Sequence, residues 1–313
     1  MPVGEAAPST LARGFMTQTR PADTSDWTIG KLLDWTRAHF DSRGVEEPRL
    51  CAEILLAKAL ACRRIDLYAQ YDRRPDEAQR AAFRAMVKAA AEHRPIAYLV
   101  GKKEFYSLEF DVTPDVLIPR PETEIIVEKA LAFAANCPGD RVTVWDVGTG
   151  SGCIAVTIAK REPRAQVVAT DISEPALAVA RSNAAKHGVA ERVMFTVADL
   201  LEQASGGSGE AFDLITANLP YVATADAQSL PKMVRDNEPA TALFAGADGL
   251  GLFRRMAPQA APRLRPGGLL LLEIGMGQAE AVTRLYVAAG LELTGAYADL
   301  RGIVRTLGFT LPA

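Results

Sequence analysis

The residues with the clearest potential for chemistry form a glycine-rich turn between an apolar segment and a helical one. The turn, DVGTGSG, runs from Asp146 to Gly152; it ends the apolar run RVTVWDVG and leads into GCIAVTIAKR. Because glycine has no Cβ and accepts a positive φ, such a turn lets the backbone approach a ligand closely. Between a strand and a helix it predicts a cofactor site, although a tight connection without any ligand has the same composition.

Two classes of cofactor compete for this turn. A dinucleotide fold uses the spacing GxGxxG, with a pyrophosphate at the helix N-terminus, but here Cys153 holds the third glycine position and the turn has no basic residue. The spacing GxGxG after an acid resembles motif I of the class I methyltransferases. Their cofactor, S-adenosylmethionine, has no phosphate and carries a positive sulfonium, so an acidic residue near the turn suits it. The predicted binding residues in the turn are Asp146, Gly148, Thr149, Gly150, Ser151 and Gly152.

Two further acids end the next two predicted strands. Asp171 closes AQVVATD, where a carboxylate can accept hydrogen bonds from both ribose hydroxyls. The alternative role is a helix N-cap, for which Ser173 is better placed. Asp199 closes RVMFTVAD, and the resemblance implies that Asp199 and Leu200 flank the adenine. Acids at successive strand ends lie on one edge of a parallel sheet, which indicates a single cleft.

The tetrapeptide Asn218-Leu219-Pro220-Tyr221 follows the fourth predicted strand and suits the binding of an NH₂ group. An amide nitrogen is a poor nucleophile because its lone pair is delocalised into the carbonyl. Two acceptors aimed at its N–H groups hold it and favour rehybridisation. Asn218 supplies one acceptor and the carbonyl of Leu219 the other, which Pro220 aims by forcing an extended conformation. Tyr221 offers a flat face to the amide.

This tetrapeptide resembles the (N/D/S)-x-P-(Y/F) motif of methyltransferases that act on amide or exocyclic amino nitrogens. We predict its four residues as catalytic and substrate-binding, with Asn218 also beside the cofactor. Catalysis is then the alignment of nitrogen, methyl and sulfur for in-line displacement, with reacting atoms about 3–3.5 Å apart. No strong base is needed, because the nitrogen becomes acidic once it is methylated. A simple Asn-Pro turn is the alternative interpretation.

The elements that position these residues alternate between strand and helix from Arg141 onward. This alternation predicts a parallel, doubly wound sheet with right-handed crossovers, closed by LELTGAYADL and IVRTLGF. The expected fold class is α/β: a class I methyltransferase sheet, mostly parallel with an antiparallel closing strand, and a small N-terminal helical domain. The expected parts are a flexible segment (1–26), a helical domain (27–94), a β-hairpin linker (95–121) and the methyltransferase domain (122–313). The family resemblance described below implies that residues 27–94 recognise the substrate.

Composition limits the possible functions. The net charge of −3 argues against nucleic acid binding over a wide phosphate surface. The four cysteines form no CxxC pair, so we expect no metal site and a reduced, cytoplasmic protein. No run of about 18 apolar residues predicts a membrane span.

From about Trp27 onward the chain resembles the HemK/PrmC family. The matching segments are RPIAYLVGKKEFYSLEFDVTPDVLIPRPETE, DVGTGSG, NLPY, NEPATALFAGADGL, LRPGGLLLLEIG and DLRGIVR. The resemblance implies methyl transfer from S-adenosylmethionine to N5 of the glutamine in the Gly-Gly-Gln motif of class 1 peptide chain release factors. It also implies that Arg120 and Glu122 cap the cleft and contact the substrate, and that the helical domain grips the release factor.

The family usually has proline where this chain has Leu219. Because the residue contributes only its carbonyl, leucine can replace proline, at the loss of a fixed φ; we expect a looser but active site. NLPY also occurs in ribosomal RNA adenine dimethylases, whose extra helical domain follows the methyltransferase domain instead of preceding it.

Three other functions remain open from the sequence: methylation of an amino group in RNA or DNA, cofactor binding without turnover, and nicotinamide-dependent oxidoreduction. The interpretation as a release factor methyltransferase predicts a class 1 release factor as partner, no membrane, no direct nucleic acid contact and a monomer.

Overall fold

The computed structural model describes residues 27–202 and 211–312, so the predicted flexible segment 1–26 lies outside the described residues. The chain divides into two compact units between Arg84 and Ala85, within a helix. In the described chain, no helix is both long and apolar enough to cross a bilayer.

The first unit is helical, as predicted. Its helices are α1 (Ile29–Ser42), α2 (Pro48–Leu60), α3 (Arg64–Ala69) and the beginning of α4 (Glu77–Ala91). The Thr28 side chain caps α1, and Pro48 occupies the first turn of α2, where its missing N–H costs no hydrogen bond. Sequence periodicity did not predict α3, because six residues are too few to show a helical period.

A short helix and a hairpin follow. The helix α5 (Ile96–Val100) leads into β1 (Lys102–Phe105) and β2 (Leu108–Asp111), which pair antiparallel. A hairpin is thus present within the predicted linker 95–121, but the residues before Gly101 are helical. Gly101 ends this helix in the left-handed region, at φ 77°, and five residues are too few for a periodic pattern.

The second unit is built on a sheet that, in the described chain, has seven strands. The strands are β3 (Val142–Val147), β4 (Ala165–Asp171), β5 (Val193–Val197), β6 (Phe212–Ala217), β7 (Leu264–Glu273), β8 (Glu292–Ala298) and β9 (Val304–Thr310). Their order is β5-β4-β3-β6-β7-β9-β8. The first five strands pair in parallel, whereas β9 pairs antiparallel with both β7 and β8, which confirms the predicted closing strands.

Helices cover both faces of this sheet. They are α6 (Glu124–Asn136), α7 (Cys153–Arg161), α8 (Glu174–Lys186), α10 (Gly251–Ala260) and α11 (Ala279–Ala288). A 3₁₀ turn (Pro121–Thr123) precedes α6, and the short helix α9 (Lys232–Arg235) lies in the connection between β6 and α10. Side chains alternate along β3: Val142 and Val144 pack in one apolar cluster with α6 and α7, and Trp145 and Val147 in another with α10 and α11. Every residue of β3 is buried, as expected for a central parallel strand.

The strand order creates the position for a site. From β3 the chain winds outward to β4 and β5, then returns to place β6 on the other side of β3. Val147 at the end of β3 is the register partner of Ala217 at the end of β6. The glycine-rich turn and the tetrapeptide therefore leave neighbouring strands at the point where open α/β sheets bind ligands.

Candidate active site

A cleft of about 330 Å³ opens at this edge of the sheet, within the usual range for small-molecule sites. It brings together most of the residues predicted from the sequence: Arg120, Gly148, Thr149, Gly150, Ser151, Asp171, Asp199, Leu200, Asn218, Leu219 and Pro220. Four predicted residues are not among its lining: Glu122, Asp146, Gly152 and Tyr221.

The three glycines of the turn are required for different reasons. All have positive φ, at 70° for Gly148, 55° for Gly150 and 80° for Gly152. A Cβ on Gly152 would lie 3.1 Å from the Cβ of Ala180, so this glycine permits close packing of α7 against α8. A Cβ on Gly150 would meet no described atom within 4 Å, so this position stays open to a ligand.

Asp146, predicted to bind the cofactor, supports the turn from below and is not among the residues that line the cleft. It is fully buried, and its two carboxylate oxygens accept hydrogen bonds from Thr149 Oγ1 at 2.6 Å and Thr216 Oγ1 at 2.8 Å. Burial raises the pKa of this carboxyl to about 6, although the threonine hydrogen bonds favour the charged form. Asp146 thus fixes Thr149, which does line the cleft.

The other two acids remain at the cleft. Asp171 accepts the backbone N–H of Gly150 and that of Ser173, both at 2.9 Å, so it ties the turn to the end of β4. Burial raises the pKa of Asp171, against the effect of these two N–H groups. Ser173 caps α8, as predicted. Asp199 is paired with Arg255 of α10 at 2.6 Å.

Asn218 is held by its amide nitrogen. Its Nδ2 donates to Thr123 Oγ1 at 3.0 Å, and Thr123 in turn donates to Glu273 Oε2 at 2.5 Å. Within residues 27–202 and 211–312, no group donates to the Asn218 side-chain oxygen or to the Leu219 carbonyl. Both oxygens predicted to accept the substrate N–H groups are therefore uncommitted.

Leu219 is fixed by packing and Tyr221 by hydrogen bonds, on either side of Pro220. The Leu219 side chain is 4% exposed and lies against Gly148, where a Cβ added to that glycine would come within 3.3 Å of Leu219 Cδ2. The Tyr221 hydroxyl donates to Glu273 Oε1 at 3.3 Å, and its carbonyl accepts from Gln278 Nε2 at 2.9 Å. Burial raises the pKa of Tyr221, and the nearby Glu273 carboxylate adds to this effect, so the phenol stays protonated.

Arg120 and Glu238 anchor the wall of the cleft. Glu238 is 5% exposed and accepts hydrogen bonds from the Ile118 N–H at 3.2 Å and from Arg120 at 2.5 Å. The segment NEPATAL matches the family pattern but predicts no role for Glu238, whose partner Arg120 lies 118 residues away in sequence.

Replacing Glu238 with alanine is expected to lower the free energy of unfolding by about 1–3 kcal/mol, because a buried N–H and an arginine lose their acceptor. Urea-induced unfolding measures this effect. The exposed Glu104 supplies the control substitution Glu104→Ala, expected to change stability by less than about 0.5 kcal/mol. Equal stabilities of the two variants would show that Glu238 does not anchor the wall.

Sequence reasoning also missed Thr123, Glu273 and Asn183. Asn183 is fully buried on α8, where its side chain bonds the backbone of Asp111 and the Ser151 carbonyl of the turn. Glu273 carried a usable signal, since a single acid at the end of the apolar run LLLLE is unusual in a central strand.

Glu273 gives the fold a specific pH dependence. Burial raises the pKa of its carboxyl from 4.5 to about 7, repulsion from Glu122 adds to this, and the bonds from Thr123 and Tyr221 oppose it. The folded state therefore binds this proton more tightly than the unfolded chain, so stability decreases as the pH rises between these two values.

The stability of Glu273→Gln relative to the natural chain is expected to increase by about 2–3 kcal/mol of unfolding free energy when the pH is raised from about 5 to about 8. The reason is that the natural chain must bury the charge of Glu273 at the higher pH and the variant does not. Urea-induced unfolding at both pH values measures the difference, with Glu104→Gln as the exposed control. A stability difference that does not change with pH would contradict the expectation.

Comparisons with known proteins agree with this geometry. Residues 31–101 match a family model described as the PrmC N-terminal domain, and residues 138–260 match a methyltransferase domain. The chain is 43% identical over 282 residues to the release factor glutamine methyltransferase of Geobacter sulfurreducens, covering 90% of this chain and 96% of the relative. It is 46% identical over 263 residues to the protein of that name from Moorella thermoacetica, covering 84% and 91%.

A solved structure confirms the fold. The hMettl16 catalytic domain, in complex with MAT2A 3'UTR hairpin 6, superposes with a TM-score of 0.53 at 15% identity, covering 73% of this chain and 82% of that one.

Together, the doubly wound sheet and the cleft at its switch point define a class I methyltransferase, with S-adenosylmethionine as its cofactor. The cleft suits a cofactor without phosphate: of the described residues that line it, both arginines, Arg120 and Arg255, are already paired with acids. The chain belongs to the family of release factor glutamine methyltransferases.

Proposed function

We propose that this enzyme transfers a methyl group from S-adenosylmethionine to N5 of the glutamine in the Gly-Gly-Gln motif of class 1 peptide chain release factors. The observation that carries the proposal is the orientation of Asn218, whose nitrogen is bound to Thr123 while its oxygen is left for a substrate N–H. The relatives' shared name supplies the substrate class.

The bound cofactor supplies an electrophilic methyl group on a positive sulfur. The chain's own residues hold the acceptor nitrogen in line with it: the Asn218 oxygen takes one N–H and the Leu219 carbonyl the other. Hydrogen bonding of both amide protons favours rehybridisation of the amide nitrogen. Because both reactants are held in alignment in one cleft, the entropic cost of bringing them together is paid on binding and not in the reaction. Tyr221, with its hydroxyl fixed on Glu273, is proposed to present its ring to the planar amide.

The remaining predicted residues are proposed to hold the cofactor. Asp171 would accept the ribose hydroxyls while keeping Gly150 in place, and Asp199 with Leu200 would flank the adenine. Asp146 would act indirectly, through Thr149. Arg120, held by Glu238, would line the entrance for the glutamine, with Glu122 close by in sequence.

We further propose a monomer that acts in the cytoplasm on a protein partner, without direct nucleic acid contact. Residues 27–94 would recognise the body of the release factor, residues 95–121 would connect the domains, and residues 122–313 would carry out the transfer. The mildly acidic net charge of −3 is consistent with a protein substrate.

The test is methyl transfer from labelled S-adenosylmethionine, with purified class 1 release factors and bulk RNA offered in parallel. Label should enter the release factor alone. A release factor with Gln→Asn in its Gly-Gly-Gln motif is the matched control, and it should remain unlabelled. Label in RNA with none in the release factor would replace this proposal with amino-group methylation of nucleic acid.

A further inference from the structure

We propose that Glu273, acting through Thr123, decides which end of the Asn218 side-chain amide faces the cleft, and is thus a positioning residue for methyl transfer. The inference rests on the proposed function, in which Asn218 must present an acceptor and not a donor. Nothing in the tetrapeptide itself specifies this choice, because the two ends of an asparagine amide have nearly the same shape.

The three side chains form one chain of hydrogen bonds that starts at the half-buried Asn218 and ends at two buried side chains. Glu273 is 2% exposed and Thr123 is 1% exposed. Thr123 Oγ1 lies 2.5 Å from Glu273 Oε2 and 3.0 Å from Asn218 Nδ2. The contacts join residues 150 and 95 positions apart in sequence, so only the folded sheet brings them together.

The direction of these bonds follows from counting protons. A hydroxyl has one proton, and an ionised carboxylate can only accept, so the Thr123 proton must point to Glu273. The Thr123 oxygen is then left as an acceptor and requires a donor from its other neighbour. Asn218 can meet this need only with its NH₂ group, which turns its oxygen towards the cleft.

A donor in place of the carboxylate would remove this constraint. In the Glu273→Gln variant, the new amide NH₂ can donate to Thr123, whose proton is then free to point to Asn218. The Asn218 amide can turn over and present its NH₂ group to the cleft. The NH₂ group of Asn218 would then face an N–H group of the substrate amide, and two donors that point at each other repel.

The same carboxylate also holds the other end of the tetrapeptide. Its Oε1 accepts from the Tyr221 hydroxyl at 3.3 Å while its Oε2 accepts from Thr123. One buried acid therefore fixes both Asn218 and Tyr221, on either side of Leu219 and Pro220.

The proton on Glu273 should control the orientation in the same way as the Gln substitution. The charged and titratable groups around this carboxyl are Glu122, Tyr221, Arg305 and Cys153. Burial raises the pKa of Glu273 to about 7; repulsion from Glu122 adds to this effect, and attraction to Arg305 opposes it. Below this pH the protonated acid can donate to Thr123, so the correct orientation requires the ionised form.

The first test observes Asn218 directly, without catalysis. The chain has four asparagines, at positions 136, 183, 218 and 237, so selective ¹⁵N-asparagine labelling gives four side-chain NH₂ signals. Asn218→Asp identifies the signal of Asn218 by removing it. We expect that signal to titrate with a midpoint near pH 7, and to lose this titration in Glu273→Gln. A signal that does not titrate in the natural chain would overturn the proposal.

The second test compares turnover. Thr123→Val and Glu273→Gln should each lower kcat by about 10–100-fold while the Kd of S-adenosylmethionine changes less than about threefold. Thr123→Ser, which keeps the hydroxyl, should retain most of kcat. In the natural chain kcat should rise with pH through about 7, and this rise should be absent in Glu273→Gln. An unchanged kcat and pH profile in Glu273→Gln would contradict the inference.

A double-mutant cycle separates orientation from general support of the site. The carboxylate in Asn218→Asp has two equivalent oxygens, so its orientation has no consequence. Adding Thr123→Val to Asn218→Asp should therefore cost much less than adding it to the natural chain. Equal costs would mean that Thr123 only supports packing. If the natural chain methylates no release factor, the proposed function fails, whereas the NMR titration still tests the inference.

Discussion

Asn218→Ala is expected to lower kcat for release factor methylation by about 10³-fold or more. The variant loses the acceptor that is proposed to hold one N–H of the substrate amide, and removal of a single aligned polar group at a reacting centre typically costs about 10²–10³-fold. The loss is expected to be larger here, because the reaction depends on alignment and not on a base. Water replacing the side chain can accept the same N–H, but it cannot fix the nitrogen in line with the methyl group.

Single-turnover methyl transfer from labelled cofactor measures this effect without interference from product release. The control is Asn136→Ala, an exposed asparagine near the end of α6 whose side chain bonds only the Ala132 carbonyl among the described residues. It should transfer methyl groups at the natural rate. Because Asn218 is proposed to lie beside the cofactor, a rise of a few-fold in the Kd of S-adenosylmethionine is compatible with the mechanism. Transfer within about tenfold of the natural rate would rule out the acceptor role.

Asp171→Ala is expected to raise the Kd of S-adenosylmethionine by about 10²–10³-fold. The carboxylate is proposed to accept the ribose hydroxyls, and it already holds the N–H of Gly150 at 2.9 Å, so its removal affects both the ligand and the turn. Hydrogen bonds to a charged group contribute about 1.5–3 kcal/mol each, and losing two of them accounts for this factor.

Isothermal titration calorimetry measures this affinity, with the exposed Asp140→Ala as the control. The ribose contact is separated from support of the turn by an analogue of the cofactor that lacks the ribose hydroxyls. The natural chain should bind this analogue much more weakly than S-adenosylmethionine, whereas Asp171→Ala should bind the two alike. If the variant still discriminates between them, Asp171 acts on the turn alone.

The features that sequence reasoning identified correctly are those that depend on neighbouring residues. Gly148, Gly150 and Gly152 predicted a turn that the structure forms with positive φ at all three, because this conformation is unfavourable for residues with a Cβ. The alternation of apolar strands and helices predicted the parallel sheet, because this pattern is also visible in runs of neighbouring residues. Short elements escaped prediction, since neither α3 nor α5 is long enough to show a helical period.

Asp146 marks the limit of motif-based inference. Its position two residues before Gly148 predicted a contact with the cofactor, whereas its side chain is buried under the turn and bound to two threonine hydroxyls. One of these, Thr216, belongs to β6 and lies 70 residues away. A motif indicates which residues belong to a site, but whether a side chain faces the ligand or supports its neighbours depends on what packs against it.

The sequence by itself determined the fold class and the glycine-rich turn, and it predicted the chemistry of the tetrapeptide, because each follows from the conformations and functional groups of adjacent residues. Only the tertiary structure decided that Thr123 and Glu273 stand behind Asn218, and that Glu238 holds Arg120. Those contacts depend on the order in which β3, β6 and β7 lie side by side. Strand order results from the packing of the whole sheet, and no short segment of the chain encodes it.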